Sequence, residues 1–261
     1  MIKSASEIRS AARATLRGHW AEGALFTLIY WFISSTFSRI CVMQVIWLGA
    51  GFLASSLLLP LGWGFCIIFL LNHRGVEDSF NIGHLFDGYK DFKRIFPALF
   101  VKELYVILWA LLGAIVYFVI LCFVLRYDVA CISSPNPSCV WEGDGGDWVI
   151  VLIPALIPAF VKSLSYSMTP FILYDKREMG TKAIDLSMKM MKGHKMALFI
   201  LYLTFIGWGI LCIFTLGIGY FWLVPYINAS LAGFYEEVKA DYGQRVRDSS
   251  AYQKQPKEKE R

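Results

Sequence analysis

The chain has 261 residues, 57% of them hydrophobic and 17% charged, with a mean hydropathy of +0.52 and a net charge of +5. Soluble domains average about 45–50% apolar and about 25% charged residues, so the composition excludes an ordinary soluble domain. The charges cluster between apolar runs of the length a membrane-spanning helix needs, about 20 residues. The short alternating segments of a β-barrel are not found, and the pattern reads as an all-α, polytopic membrane protein.

The first eighteen residues read as an amphipathic helix. Ser4 and Glu7 have capping-box spacing. Ile8, Ala11, Ala12, Thr15 and Leu16 share one face, and Arg9, Arg13 and Arg17 recur four apart on another. The compact charged region, apolar core and cleavage site of a signal peptide are not seen here, so the first span reads as its own insertion signal. Six spans are expected, at 21–37, 50–72, 98–125, 148–174, 196–215 and 218–236. The start of the second is open, because Cys41 to Leu71 is almost continuously apolar and is interrupted by Gly49, Gly51, Pro60, Gly62 and Gly64.

A second amphipathic pattern precedes the third span: Ile82, Leu85, Phe86, Tyr89, Phe92 and Phe96 oppose His84, Asp87, Asp91 and Arg94. A third precedes the fifth span. There Thr181 reads as the cap, and Ile184, Met188 and Met191 oppose Lys182, Asp185, Lys189 and Lys192. The architecture is therefore three transmembrane hairpins, each preceded by a cytoplasmic amphipathic helix that lies on the inner leaflet or docks a partner. Two copies end alike, in Leu16-Arg-Gly-His-Trp20 and Met191-Lys-Gly-His-Lys195, which points to a weak threefold repeat.

Lysines and arginines crowd the N-terminal segment, the second and fourth loops and the tail, leaving only Arg39 and Arg126 on the opposite face and Lys162 inside a span. Cytoplasmic loops carry such an excess, so both termini are placed in the cytoplasm. The positive balance fits anionic lipid head groups, and no nucleic-acid motif is present. Residues 1–238 read as one integral membrane domain and 239–261 as a charged, disordered cytoplasmic tail.

The outer loop holds Cys131 and Cys139 around Ser-Ser-Pro-Asn-Pro-Ser, a candidate disulfide outside the cytoplasm. Cys66, Cys122 and Cys212 read as small apolar residues within spans, and Cys41 as a thiol near the outer face. His19, His73, His84 and His194 have no second ligand at metal-site spacing. Glu142-Gly-Asp-Gly-Gly-Asp147 does not match a calcium loop. No phosphate loop, nucleophile elbow or redox pair appears, so no catalytic residue, metal or cofactor is assigned. Glu22, Glu103 and Asp175 lie at cytoplasmic ends of spans, which leaves no acid in mid-membrane.

Lys162 is the sharpest site candidate, and two readings compete. If the fourth helix starts at Trp148, the lysine lies about 20 Å along it at 1.5 Å per residue, where an ionisable group has a functional reading by default. If Pro154 and Pro158 mark the start, Lys162 is one turn from the outer surface and snorkels to it. With Ser165, Tyr166 and Ser167 it forms a candidate site for a lipid head group or an anion.

Ser187-Met-Lys-Met-Met-Lys-Gly-His-Lys195, Leu198-Phe199, Phe205-Ile-Gly-Trp208, Gly217-Ile-Gly219, Trp222-Leu-Val-Pro-Tyr226 and Phe234-Tyr235 resemble the bacterial membrane family catalogued as domain of unknown function 975. Tyr166-Ser-Met168 and Leu85-Phe-Asp-Gly-Tyr89 fit it as well. The resemblance covers most of residues 1–238. It implies a multi-span bacterial inner-membrane protein, and brings no activity, substrate or catalytic residue with it. It also implies a fourth span started by Ile157-Pro158, which favours the second reading of Lys162; the extra outer segment near 118–150 departs from the family pattern. The expected function is a non-catalytic scaffold, lipid-interacting or envelope-assembly factor, whose partners are membrane lipids and a membrane protein or a second copy. The alternative is a transporter or permeability factor for a small amphiphile, with a lipid-modifying enzyme third.

Overall fold

A computed structural model describes residues 2–43, 55–124, 147–176 and 180–254. Cys131, Cys139, the acidic outer loop up to Gly146 and the last seven residues lie outside them. Among the described residues every regular element is helical.

Helix α1 (Ala5–Thr15) begins in the expected capping box: the Ser4 amide donates to Glu7 Oε2 at 2.7 Å and the Ser4 hydroxyl accepts from the Glu7 amide. Its apolar face is not left for lipid. Ile8, Ala12 and Leu16 are buried against the protein, and α1 runs antiparallel to the last helix. The turn after α1 recurs after the ninth helix. Gly18 and Gly193 have φ of +93° and +89°, a conformation glycine adopts without strain. In both turns the histidine amide donates to the carbonyl three residues earlier, Leu16 at 2.9 Å and Met191 at 3.1 Å. The shared Gly-His ending is thus one turn used twice.

Helix α2 (Trp20–Met43) crosses the last helix, with Gly23 beside Pro225 and Trp31 beside Phe221. Helix α3 (Leu59–His73) covers the later part of the expected second span, whose residues 50–54 lie outside the described ones. Its 15 residues give about 22 Å, short of the roughly 30 Å hydrocarbon core. Most of it is buried, from Pro60 to Asn72, by α1, α2 and the helices that follow, with Gly62 and Cys66 half-buried. A helix apolar all round belongs either in lipid or in a core, and hydropathy cannot separate the two. Two single turns, α4 (Ile82–Leu85) and α5 (Asp87–Lys90), pack against its start. Here only Leu85 of the expected apolar face is buried outright, while Ile82, Phe86 and Tyr89 stay exposed. Gly64 meets the Leu85 carbonyl and Gly88 the Pro60 carbonyl so closely that neither position has room for a Cβ.

Among the described residues three helices are long and apolar enough to cross a membrane: Phe92–Val119, Leu156–Lys176 and Lys195–Phe214. The first belongs to α6 (Phe92–Val124) and the third is α10 (Lys195–Phe214). The middle one combines α7 (Asp147–Tyr166) with α8 (Thr169–Lys176) across a break at Ser167-Met168. The helix starts ahead of Pro158, at Asp147, while its described apolar span starts at Leu156. Prolines 154 and 158 sit inside α7, since membrane helices tolerate the lost bonds. The break falls instead just before Pro170, which occupies the first turn of α8, where its missing N–H matters least.

Helix α9 (Thr181–Met190) buries Ala183, Ile184 and Met190 inside the protein and leaves its lysines outside. Helix α11 (Tyr220–Lys254) runs far past the expected sixth span, so the tail from Lys239 to Lys254 is helical. Arg245 donates to the carbonyls of Met190 and Lys192, fastening this extension to the α9–α10 turn. Nearby, Arg74 makes a two-pronged ion pair with Asp175 at 2.7 and 2.8 Å and also binds Glu236. Tyr235 and Lys239 both donate to Asp175, at 2.8 and 2.6 Å. One charged network therefore ties together the ends of α3 and α8 and the middle of α11. Lys3 meets Glu237 at 2.6 Å on the same side.

Candidate functional site

The helices α6 and α7 are antiparallel neighbours, with Tyr105 beside Tyr166 and Trp109 beside Lys162. At the α7–α8 break they and α10 enclose a polar cleft of about 240 Å³, lined by Lys102, Glu103, Val106, Ser163, Tyr166, Ser167 and Tyr202. All three apolar spans contribute a wall. Lys102 Nζ lies 2.9 Å from a Glu103 carboxylate oxygen, and the two side chains are 21% and 37% exposed. Lys102 also lines a neighbouring pocket of about 220 Å³ with Tyr30, Gly62, Trp63 and Leu99. The ammonium thus stands between a hydroxyl-rich cleft and an aromatic one.

Of the expected site residues, the structure brings Tyr166 and Ser167 into the cleft. The Ser167 hydroxyl donates to the Leu164 carbonyl at 2.8 Å, closing off the frayed end of α7. Lys162 stands next to the cleft, its ammonium 4.2 Å from the centroid of the Trp109 ring. Ser165 is elsewhere: its hydroxyl donates to Val161, and its carbonyl accepts from Ser187 of α9 at 2.8 Å. Its place is in the packing of α9, at a carbonyl close to the helix break.

Lys102, Glu103, Ser163 and Tyr202 carry no site signal in the sequence reading. The first two are adjacent opposite charges at the start of an apolar run, and that was the readable clue. Tyr202 is one tyrosine among many on an apolar helix, and only packing shows which face it uses. An ammonium ringed by hydroxyl and phenol groups can hold a phosphate, and the carboxylate beside it can hold a cationic group. Among the described residues no three His, Cys, Asp or Glu side chains gather to hold a metal ion.

The family model for the protein family of unknown function DUF975 matches residues 1–242. The chain belongs to this family. No curated protein and no solved structure matches it.

Proposed function

Starting from this family membership, we propose that the chain is a non-catalytic, multi-pass protein of the bacterial inner membrane that holds phospholipid head groups in the α6–α7–α10 cleft. The observation that carries the reading is an ion pair, Lys102 with Glu103, set among Tyr166, Ser167 and Tyr202 where three apolar helices converge. Ionisable groups in such surroundings mark functional sites. The serines nearest the break donate to backbone carbonyls instead of to a base, which supports binding over catalysis. Both termini lie in the cytoplasm on this reading: the ends of α3 and α8, the N-terminal segment and the middle of α11 meet in one charged network, on the side rich in basic residues.

Native mass spectrometry of the purified chain tests the binding. Wild type retains phospholipid, and Lys102→Gln with Tyr166→Phe loses most of it while remaining monodisperse. Equal retention by the variant overturns the reading. The break between α7 and α8 inside a candidate span favours a second reading, transport of a small amphiphile, because broken helices line pathways. Flux of a fluorescent amphiphile into sealed proteoliposomes, lost in the same variant, distinguishes transport from holding.

A further inference from the structure

Between α1, α10 and α11 lies a second, larger pocket of about 440 Å³, within the range of ligand sites. Its wall is apolar and aromatic: Trp20, Trp208, Leu211, Cys212, Trp222 and Tyr226 contribute most of it. The charged member is Arg13. Trp208, Leu211 and Trp222 are each about half exposed, so the pocket opens along the same apolar surface that the spans present to their surroundings.

The charge beside this pocket is unbalanced. Arg9, Arg13 and Arg17 form a row along α1, and none of the three has a carboxylate partner among the described residues. Arg9 is held by its backbone, whose carbonyl accepts from the Tyr226 hydroxyl at 3.4 Å, while its Nε is buried without a hydrogen-bond partner. Arg74, Lys239 and Arg245, by contrast, are each paired with a carboxylate. An aromatic pocket with the uncompensated guanidinium of Arg13 at its edge is complementary to a ligand with an apolar tail and an anionic head.

We propose that this pocket holds one acyl chain of an anionic phospholipid from the surrounding bilayer, with its phosphate on Arg13. The bilayer is the source because the pocket opens sideways onto exposed apolar side chains, the route by which a lipid tail enters without leaving the membrane. The site is separate from the Lys102 cleft and does not depend on it. The test is native mass spectrometry of the full chain titrated with phosphatidylglycerol, phosphatidylcholine or oleate. Wild type retains phosphatidylglycerol over phosphatidylcholine. Arg13→Gln, at an exposed position, reduces that preference about fivefold, the effect of one basic residue near an anionic lipid. Leu211→Trp, which fills the pocket from an exposed position, removes this lipid and leaves the lipid of the Lys102 cleft bound. Equal retention of both phospholipids by wild type overturns the proposal. So does retention unchanged by both pocket variants, or oleate bound in place of phospholipid.

Discussion

A charge held at the centre of a bilayer costs about 2.5–3.5 kcal/mol on insertion scales, so the surroundings of Lys162 matter. Its helix begins at Asp147, which places it ~22 Å along the axis at 1.5 Å per residue. The ring of Trp109 covers the ammonium at 4.2 Å, and such contacts contribute about 0.5–2 kcal/mol, more when desolvated. Trp109→Leu and Lys162→Met are therefore expected to be non-additive. A double-mutant cycle on thermal unfolding in detergent should show coupling of about 0.5–2 kcal/mol, and strictly additive losses would show that the contact contributes nothing. The two glycines that let α4 and α5 approach α3 are a second residue-scale case. A methyl at Gly64 collides with backbone, at the Leu85 carbonyl, and no side-chain rotation relieves that. Gly64→Ala should lower stability by roughly 1–3 kcal/mol, as overpacking does. Gly207→Ala, with open space around it, should be close to neutral in the same assay.

Helix α11 does two jobs along its length, and its chemistry changes accordingly. Its first half lies among apolar partners, and its second half is a charged arm that fastens the others. Arg74 is the hub of the network at the junction, and hydrogen bonds from its guanidinium to Asp175 raise its pKa above the ordinary arginine value. Asp175 is only 10% exposed. Arg74→Met removes its strongest partner and should cost about 3 kcal/mol, the lower end of the range for breaking a buried pair. Arg74→Met with Asp175→Asn should recover part of the loss, which thermal unfolding would read. Further along, the hydrogen bond with His194, then the nearby Arg245, holds the Asp241 carboxyl below its usual range. A carboxyl depressed in the folded state adds stability above its unfolded pKa of about 3.9 and loses it as pH falls through the folded value. The hold of α11 on the turn at 191–194 should therefore loosen below about pH 4. Amide protection in that turn, taken relative to the intrinsic exchange rate at each pH, should fall with acid in wild type and be low at all pH values in Asp241→Asn, and an unchanged profile in the variant would remove Asp241 from the account.

At the scale of the molecule, the sequence was most readable where one cause acts alone. Helical class, the two Gly-His turns and the apolar runs of α6 and α10 follow from local composition and spacing. The role of α3 did not, because an apolar helix reads the same whether lipid or protein surrounds it. Most of the cleft was likewise hidden, since Tyr202 and Lys102 come together only through packing between distant segments, whereas Tyr166 and Ser167 announced themselves beside Lys162. The amphipathic helices show the same ambiguity in its sharpest form. A basic amphipathic helix can lie on a membrane surface with its apolar face in lipid, or it can complete a protein core. In α1, Ile8, Ala12 and Leu16 are at most 3% exposed, the Thr15 carbonyl accepts from Asn72 of α3, and Lys3 reaches Glu237. The helix is thus a structural member, and Arg13 and Arg17 are what this segment leaves outside. Leu16→Ala opens a cavity in the centre of the protein and should cost about 2–5 kcal/mol. Arg17→Gln, on the exposed side, should change stability by less than about 0.5 kcal/mol, as surface substitutions do. If α1 instead rested on the leaflet, the pattern would differ: Leu16→Ala would weaken vesicle attachment of an isolated segment yet leave unfolding of the rest untouched. Thermal unfolding of the full chain separates these cases, and a Leu16→Ala protein as stable as wild type would mean that α1 is no part of the core.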